Sequence, residues 1–208
     1  NLSCAHCRAA AEFGHYHGEL SLDKIKEVVD DIVTITNPII ILTGGEPLVH
    51  GASVELLERL ADADYHTTVE TNGTVVPDAP VDLASVSPKL ASSTPTPERD
   101  PKGEGEWEER HEQRRIDLEA LATICERYDH QLKFVVTGRK DMAEITALLD
   151  RLRERVEIRD EDVLLMPEGA TRERLDETRN TVADLAMEYG FRYTPRLHVD
   201  LWNDAPGT

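Results

Sequence analysis

Two cysteines stand close together near the start of the chain, in Cys4-Ala5-His6-Cys7. A loop this short presents both sulfurs on one side. As thiolates they can grip a metal ion, bind part of an iron–sulfur cluster, or cycle as a dithiol. A zinc knuckle would need a second pair, but the one remaining cysteine, Cys125, stands alone. A thioredoxin-like site would need a strand ahead of the pair, and none is evident. Cys125 shares a helical face with Leu118 and Leu121, and it reads as an ordinary buried thiol.

A second group is Leu42-Thr43-Gly44-Gly45-Glu46-Pro47. It follows the apolar run Ile39-Ile40-Ile41-Leu42, which is expected to form a buried strand. Paired glycines let backbone approach a ligand closely, and the C-terminal ends of strands are where parallel α/β folds bind one. A simple strand-ending turn would use the same residues. A third group is polar and alternating. Thr68 and Glu70 flank Val69, and Gln131 and Lys133 alternate with Leu132 and Phe134. Near the end, Arg192, Thr194, Arg196, His198 and Asp200 alternate with Phe191, Tyr193, Leu197, Val199 and Leu201. Successive side chains of a strand face opposite sides, so these runs predict a sheet with one packed face and one chemically equipped face.

The elements that must position these groups alternate helix and strand. Leu22, Ile25, Val29 and Ile32 predict a helix capped by Ser21 or Asp23, and Val54, Leu57 and Leu60 predict the next. A strand over 66–71 is closed by Asn72-Gly73, and a short strand over 84–87 is broken by Pro88. Residues 92–115 are rich in Pro, Gly, Glu and Arg without an apolar period, and are expected to be a solvated loop. A helix on Leu118, Leu121 and Cys125 precedes a strand over 131–136. Met142, Ile145, Leu149 and Leu152 mark the helix after it, followed by a strand over 163–166. Leu175, Val182, Leu185 and Tyr189 mark another helix, and a last strand is expected over 191–201. The pattern is that of one α/β domain over 1–208, with an open or partial parallel β/α barrel enclosing a polar cavity.

Composition narrows the classes. With 41 Asp and Glu against 23 Lys and Arg, the formal net charge is −18. Such a surface repels phosphate backbones, so direct nucleic-acid binding is not expected. It suits the solvated exterior of a salt-adapted, halophilic protein. An odd count of 3 cysteines excludes a disulfide scaffold. No apolar run is long enough to span a bilayer and no signal-peptide pattern opens the chain, so a cytoplasmic protein without a membrane partner is expected.

Taken together, the motifs resemble a known family. Asn1-Leu2-x-Cys4-x-x-Cys7 is similar to the tail of the Cys-x-x-x-Cys-x-x-Cys signature of radical S-adenosylmethionine (SAM) enzymes, and Thr43-Gly44-Gly45-Glu46-Pro47 to their second motif. Val69-Glu70-Thr71-Asn72-Gly73-Thr74, Ser87-Pro88-Lys89-Leu90, Leu132-Lys133-Phe134-Val135-Val136, Met166-Pro167-Glu168-Gly169 and Arg196-Leu197-His198-x-x-Leu201-Trp202 follow in the order of 7-carboxy-7-deazaguanine synthases. The resemblance covers the chain outside 92–115.

It implies a partial barrel of the radical SAM type and a 4Fe–4S cluster held by three cysteines. The iron left open binds SAM. Cys4 and Cys7 would be cluster ligands, with the first cysteine expected just ahead of Asn1, along with a first strand. His6, Cys7 and Arg8 would line the SAM site, joined by Gly44, Gly45, Glu46, Ser87, Pro88 and Lys89. Thr43 would touch the substrate, a small pterin. Glu70, Lys133 and His198 are candidate catalytic residues from their inward polar placement alone, with Glu168 and Arg196 behind them. The implied reaction is radical conversion of 6-carboxy-5,6,7,8-tetrahydropterin to 7-carboxy-7-deazaguanine with loss of ammonia, on the route to the tRNA bases queuosine and archaeosine. A homodimer and an electron donor of flavodoxin or ferredoxin type are implied as well.

One departure bears on chemistry. The family usually places Asp-Thr after its last cluster cysteine, and that threonine helps hold Mg²⁺ on the substrate carboxylate. Here Arg8 and Ala9 stand there, and Ala9 cannot ligate a cation. A guanidinium at Arg8 can pair directly with a carboxylate. Two other readings remain. One is a glycyl-radical activase, against which Ser-Pro-Lys and the His198-to-Trp202 ending argue. The other is a non-catalytic binding relative, which the Arg8-Ala9 replacement would suit.

Overall fold

A computed structural model of the chain describes residues 20–36, 38–97, 107–203 and 205. The expectations placed on Cys4, His6, Cys7, Arg8 and Ala9 lie outside the described residues.

Among the described residues, six parallel strands form one sheet in sequential order, β1 Ile40–Leu42, β2 Thr67–Thr71, β3 Leu83–Val86, β4 His130–Val136, β5 Val163–Pro167 and β6 Arg192–Tyr193. Among the described residues the sheet is not closed, because β1 and β6 do not pair. Helix α1 Leu22–Val33 precedes β1. Parallel neighbours need crossovers: α2 Gly51–Asp62 lies between β1 and β2, α3 Trp107–Arg114 and α4 Leu118–Arg127 between β3 and β4, α5 Met142–Arg153 between β4 and β5, and α6 Arg172–Tyr189 between β5 and β6. A helix-free segment joins β2 to β3. A short α7, Leu197–Trp202, follows β6. Among the described residues no helix is long and apolar enough to cross a membrane.

Helix starts follow local chemistry. Ser21 accepts from the Lys24 N–H, Asp117 from that of Ala120, and Thr171 from that of Arg174, each satisfying an amide that the helix itself leaves unpaired. Gly190 ends α6 in the left-handed conformation at φ 73°. The core lies on one face of the sheet. There Val86, Leu132, Phe134, Val136 and Leu165 meet Leu121 and Ile124 of α4, Ile145 and Leu149 of α5, and Val182 and Leu185 of α6. Cys125 belongs to this core, and burial pushes its thiol up to about 12, so it is inert at neutral pH.

Three expectations are corrected. The run 39–42 forms a strand, but not a buried one, since Ile39 is 64 % and Ile41 55 % exposed. It is the sheet's first strand, and among the described residues only β2 pairs with it.

Residues 92–115 are not simply a solvated loop. Trp107–Arg114 is helical, and His111 within it is wholly buried. Its imidazole lies between the hydroxyls of Ser93 at 3.2 Å and Thr94 at 3.4 Å. A helix anchored by one buried polar side chain carries no apolar stripe, so periodicity could not reveal it.

The third correction concerns 191–201. Arg192 and Tyr193 pair with β5, the Thr194 N–H still donates to the Leu165 carbonyl at 3.0 Å, and the chain then turns at Pro195 into α7. Pro195 has no N–H to give to a ladder. The carbonyls of Asp200 and Leu201 accept instead from the Arg172 guanidinium at 2.9 and 2.7 Å, and the Asn203 side chain accepts from the Arg172 N–H at 2.8 Å. The alternation that suggested a strand carrying His198 is therefore a helical segment with Val199 buried beneath it.

The buried imidazole gives a pH prediction. Burial holds the His111 pKa below its ordinary value. The Glu112 charge opposes this, while those of Arg115 and Lys89 add to it. The unfolded chain then takes up a proton that the folded protein resists. Stability from this group is complete above about pH 6.5 and falls as pH drops towards the lower folded value. Thermal midpoints between about pH 7.5 and 5 should decline more steeply for the wild type than for His111→Gln; parallel curves would remove His111 as the cause.

Candidate active site

The sheet face opposite the core is polar. In the parallel register Glu70 stands beside Ser85, Ser85 beside Gln131, and Lys133 beside Leu164, so these side chains share one surface. At the C-terminal ends of the strands Glu70, Ser85 and Lys133 border a cavity of about 240 Å³, with Thr43, Gly44 and Gly45 on one side and Met166 and Arg196 on the other.

Glu70 is the hub. One oxygen accepts from Thr43 Oγ1 at 2.7 Å, and the other from Lys133 Nζ at 2.6 Å. Burial works against its charge, but these two hydrogen bonds and the charges of Lys133 and Lys89 outweigh it and hold its pKa below the ordinary carboxylate range. Glu70 is therefore an anion at neutral pH. Because the Thr43 hydroxyl spends its single hydrogen on Glu70, its lone pairs are left to accept from a ligand. Lys133 keeps two further N–H groups beyond the one given to Glu70. Below this pair, Gln131 donates to Ser85 at 2.9 Å.

β3 ends with the Ser87 N–H donating to the Thr71 carbonyl at 2.7 Å, which delivers Ser87 and Lys89 to the cavity. The Lys89 ammonium donates to Ser87 Oγ at 3.1 Å. Pro88 between them is buried and does not border the cavity. Lys89 and Lys133 thus flank the Glu70 carboxylate, and with Arg196 in the lining they make a locally cationic wall in an acidic protein that suits an anionic or zwitterionic ligand.

The glycine turn leaves room in front of its own backbone. Gly44 and Gly45 have φ of 93° and 54°, and a Cβ built on either would meet nothing within 4 Å. Glu46 differs from expectation. It is 5 % exposed and its side chain turns into the protein, accepting from Thr71 Oγ1 at 2.9 Å and from the Asn72 and Leu48 amides at 2.7 and 3.2 Å. Its carboxylate clamps the glycine turn to the end of β2, so its part in the site is to shape the turn.

Residues 1–91 match the family model of the radical SAM superfamily. The whole chain is 56 % identical, over 215 aligned residues and 81 % of the relative's length, to the 7-carboxy-7-deazaguanine synthase of Halobacterium salinarum. The chain belongs to the 7-carboxy-7-deazaguanine synthase family. It is also 32 % identical, again over its whole length and 77 % of the relative, to the synthase of Rhodopirellula baltica. The fold agrees with that of QueE from Escherichia coli at a TM-score of 0.59 and 18 % identity, covering 94 % of this chain and 80 % of that one.

Of the site residues expected from the sequence, the structure brings together Thr43, Gly44, Gly45, Ser87 and Lys89, marked by the family resemblance, with Glu70 and Lys133, marked by polar alternation alone. Glu46 and Pro88 stay behind the wall. His198 lies on α7 and does not border the cavity, and Glu168 is held by Arg174 at 2.8 Å. Arg196 gains weight. Its Nε donates to the Pro167 carbonyl at 3.1 Å, and it stands at the cavity's edge. Sequence reading passed over Ser85, Gln131 as its partner, and Arg115. The period-two patterns of β3 and β4 contained the first two, whereas Arg115 left no signal because its partners include backbone groups distant in sequence.

Proposed function

We propose that this member of the family is a radical SAM lyase that turns 6-carboxy-5,6,7,8-tetrahydropterin into 7-carboxy-7-deazaguanine with loss of ammonia, feeding synthesis of 7-deazapurine bases of tRNA. The observation that supports it most is the Thr43–Glu70–Lys133 set, lining one cavity with Ser87 and Lys89 in a chain of this family.

The family uses a 4Fe–4S cluster and SAM, which when bound supply the one-electron cleavage that starts hydrogen abstraction. Cys4 and Cys7 would hold the cluster, and His6, Cys7 and Arg8 would border SAM. The room in front of Gly44 and Gly45 and the hydroxyl and ammonium groups of Ser87 and Lys89 fit a zwitterionic ligand with hydrogen-bonding sugar groups. The Thr43 oxygen accepts from a pterin N–H, and Lys133 and Arg196 meet its electron-rich carbonyl or carboxylate. Glu70 orients both Thr43 and Lys133 and stays ionised while it does so. A one-electron donor of flavodoxin or ferredoxin type and a homodimer complete the proposal.

The test is anaerobic reconstitution with iron and sulfide, then incubation with the pterin, SAM and a reductant. Ammonia, 5′-deoxyadenosine and a product with the mass of 7-carboxy-7-deazaguanine are expected. An intact cluster that releases no ammonia from the pterin would overturn the reading. The Arg8-Ala9 replacement favours a second, non-catalytic reading, and an iron content near zero after reconstitution would select it.

The same pair of residues makes a prediction about magnesium. With Arg8 meeting the substrate carboxylate directly, turnover should persist, within about twofold, when Mg²⁺ is withheld and traces are chelated. An absolute requirement for the metal would defeat that role of Arg8.

A further inference from the structure

Ser87 and Lys89 face the cavity, but what holds them lies behind the sheet. Arg115, in the turn between α3 and α4, donates from Nη1 to the Lys89 carbonyl at 3.0 Å. The same nitrogen pairs with Glu144 of α5, and Arg115 Nε donates to Glu112 of α3 at 2.9 Å. The second oxygen of Glu144 accepts from the Ala91 N–H at 2.9 Å. One ion pair therefore grips two backbone groups on either side of Leu90, whose side chain is 2 % exposed in the core. Arg115 is itself only 15 % exposed, so bulk water competes poorly for its donors.

The neighbouring carbonyl is held in the same manner. Leu90 accepts from the Ser93 hydroxyl at 2.7 Å, and Ser93 in turn meets the buried His111. Among the described residues, helix α3 places three side chains around this short stretch: His111 and Glu112 from within it, and Arg115 just after it. A helix with hardly any apolar residue is retained in the crossover between β3 and β4, and these contacts account for its docking.

From this we infer that Arg115 and Glu144 form a backbone clamp which fixes Lys89 and Ser87 for SAM binding, making Arg115 a positioning residue of the reaction. The inference rests on the proposed reading of Ser87 to Lys89 as a cofactor-binding stretch. A lysine on a long flexible stem is aimed only as well as its backbone is held, and small misplacements of binding groups are costly. The clamp works through carbonyl and amide groups, so it constrains the stretch whatever side chains the stretch carries. It also needs a fork-shaped cation. Arginine can serve the Lys89 carbonyl and two carboxylates together, whereas lysine offers a single nitrogen.

The experiment compares wild type, Arg115→Ala, Arg115→Lys, Glu144→Ala and the Arg115→Ala/Glu144→Ala double variant. Arg139→Ala, which loses only the exposed pair with Glu188, is the control. Hydrogen exchange of residues 87–91 is read in protein without cluster, and KM for SAM and kcat in the reconstituted enzyme. Arg115→Ala should raise KM for SAM roughly tenfold, the scale of a charge-assisted hydrogen bond, with kcat at saturation within about twofold. Exchange at 87–91 should quicken by a similar factor, while exchange in β4 and β5 stays as in the control. Arg115→Lys should recover part of both effects, and the double variant should be no worse than the more affected single one.

Unchanged exchange at 87–91 together with unchanged KM would overturn the clamp, as would effects of the two single variants that simply add. If Arg115→Ala does not fold, Arg115→Lys and Glu144→Ala carry the same comparison. A wild-type enzyme that yields no deazaguanine product would instead count against the proposed function, and the exchange measurement would still decide the clamp.

Discussion

Replacing Glu70 with alanine is expected to lower kcat/KM for the pterin about a hundredfold while leaving the fold intact. Glu70 holds Thr43 at 2.7 Å and Lys133 at 2.6 Å, so its loss frees both groups from their present aim. Lys133 is 16 % exposed and would be left as a poorly hydrated cation with Lys89 and Arg196 on the same wall. Stranding one member of a fully buried pair costs about 3–5 kcal/mol. Glu70 itself is 40 % exposed, so water recovers part of that, and about 2–3 kcal/mol, or roughly a hundredfold, is the reasonable scale.

Glu70→Gln keeps an acceptor for Thr43 or Lys133 but not the charge that favours both, and it should fall between wild type and alanine. If Glu70 and Lys133 act as a unit, Glu70→Ala/Lys133→Met should lose no more than the worse of its parents. The held-down pKa adds a sign. The anion is present at neutral pH, and any acid limb due to Glu70 should begin only below the ordinary value near 4.3. Activity of Glu70→Ala within threefold of wild type would rule out this hub.

Gly73→Ala is expected to be the costliest small substitution for stability. Gly73 has φ 81°, and an added Cβ would lie 2.3 Å from Leu121 Cδ2 and 2.8 Å from Val86 Cγ1. Both neighbours belong to the core, Leu121 at 1 % and Val86 at 0 % exposure, so neither has room to retreat. The left-handed backbone costs a residue with a Cβ about 1 kcal/mol or more, and overpacking a dense core adds about 1–3 kcal/mol. A loss near 3 kcal/mol should lower the thermal midpoint by roughly 6–12 °C in a protein of this size. Calorimetry would show it, and a shift of less than about 2 °C would mean the core yields more easily than its packing implies.

Gly44 and Gly45 behave otherwise. They also have positive φ, but open space lies in front of them. Alanine at Gly45 should therefore cost about 1 kcal/mol for its left-handed backbone but nothing for overpacking, and act chiefly on ligand binding. The same residue type thus serves packing after β2 and access after β1. Only the surroundings, drawn from α4 in one case and the cavity in the other, tell them apart.

Local periodicity made most of the fold legible. The apolar faces of α2, α4, α5 and α6, the serine cap of α1, and the alternation in β2 and β4 each arise from contacts that recur every two or three to four residues. The same alternation is enough to put Glu70 and Lys133 on one polar face, and the order of the motifs carries the family. It failed where local pattern and tertiary demand parted. Alternation over 191–201 looked like a strand, but Pro195 breaks the ladder and Arg172 gathers the carbonyls of a helix instead. The expected polar loop contained α3, whose anchor is a buried histidine instead of an apolar stripe.

By itself, then, the order of residues determined the parallel α/β class, the polar strand face and the glycine turn, because each is written in short-range spacing, while its motifs taken in order carried the resemblance to a radical enzyme family. The tertiary structure alone decided that Glu70 joins Thr43 to Lys133, that Glu46 turns inward, and that Arg115 and Glu144 reach the backbone beside Lys89. Those contacts link residues 25 to 63 positions apart, and a hydrogen bond across such a distance depends on where the whole chain has been brought, which no local pattern records.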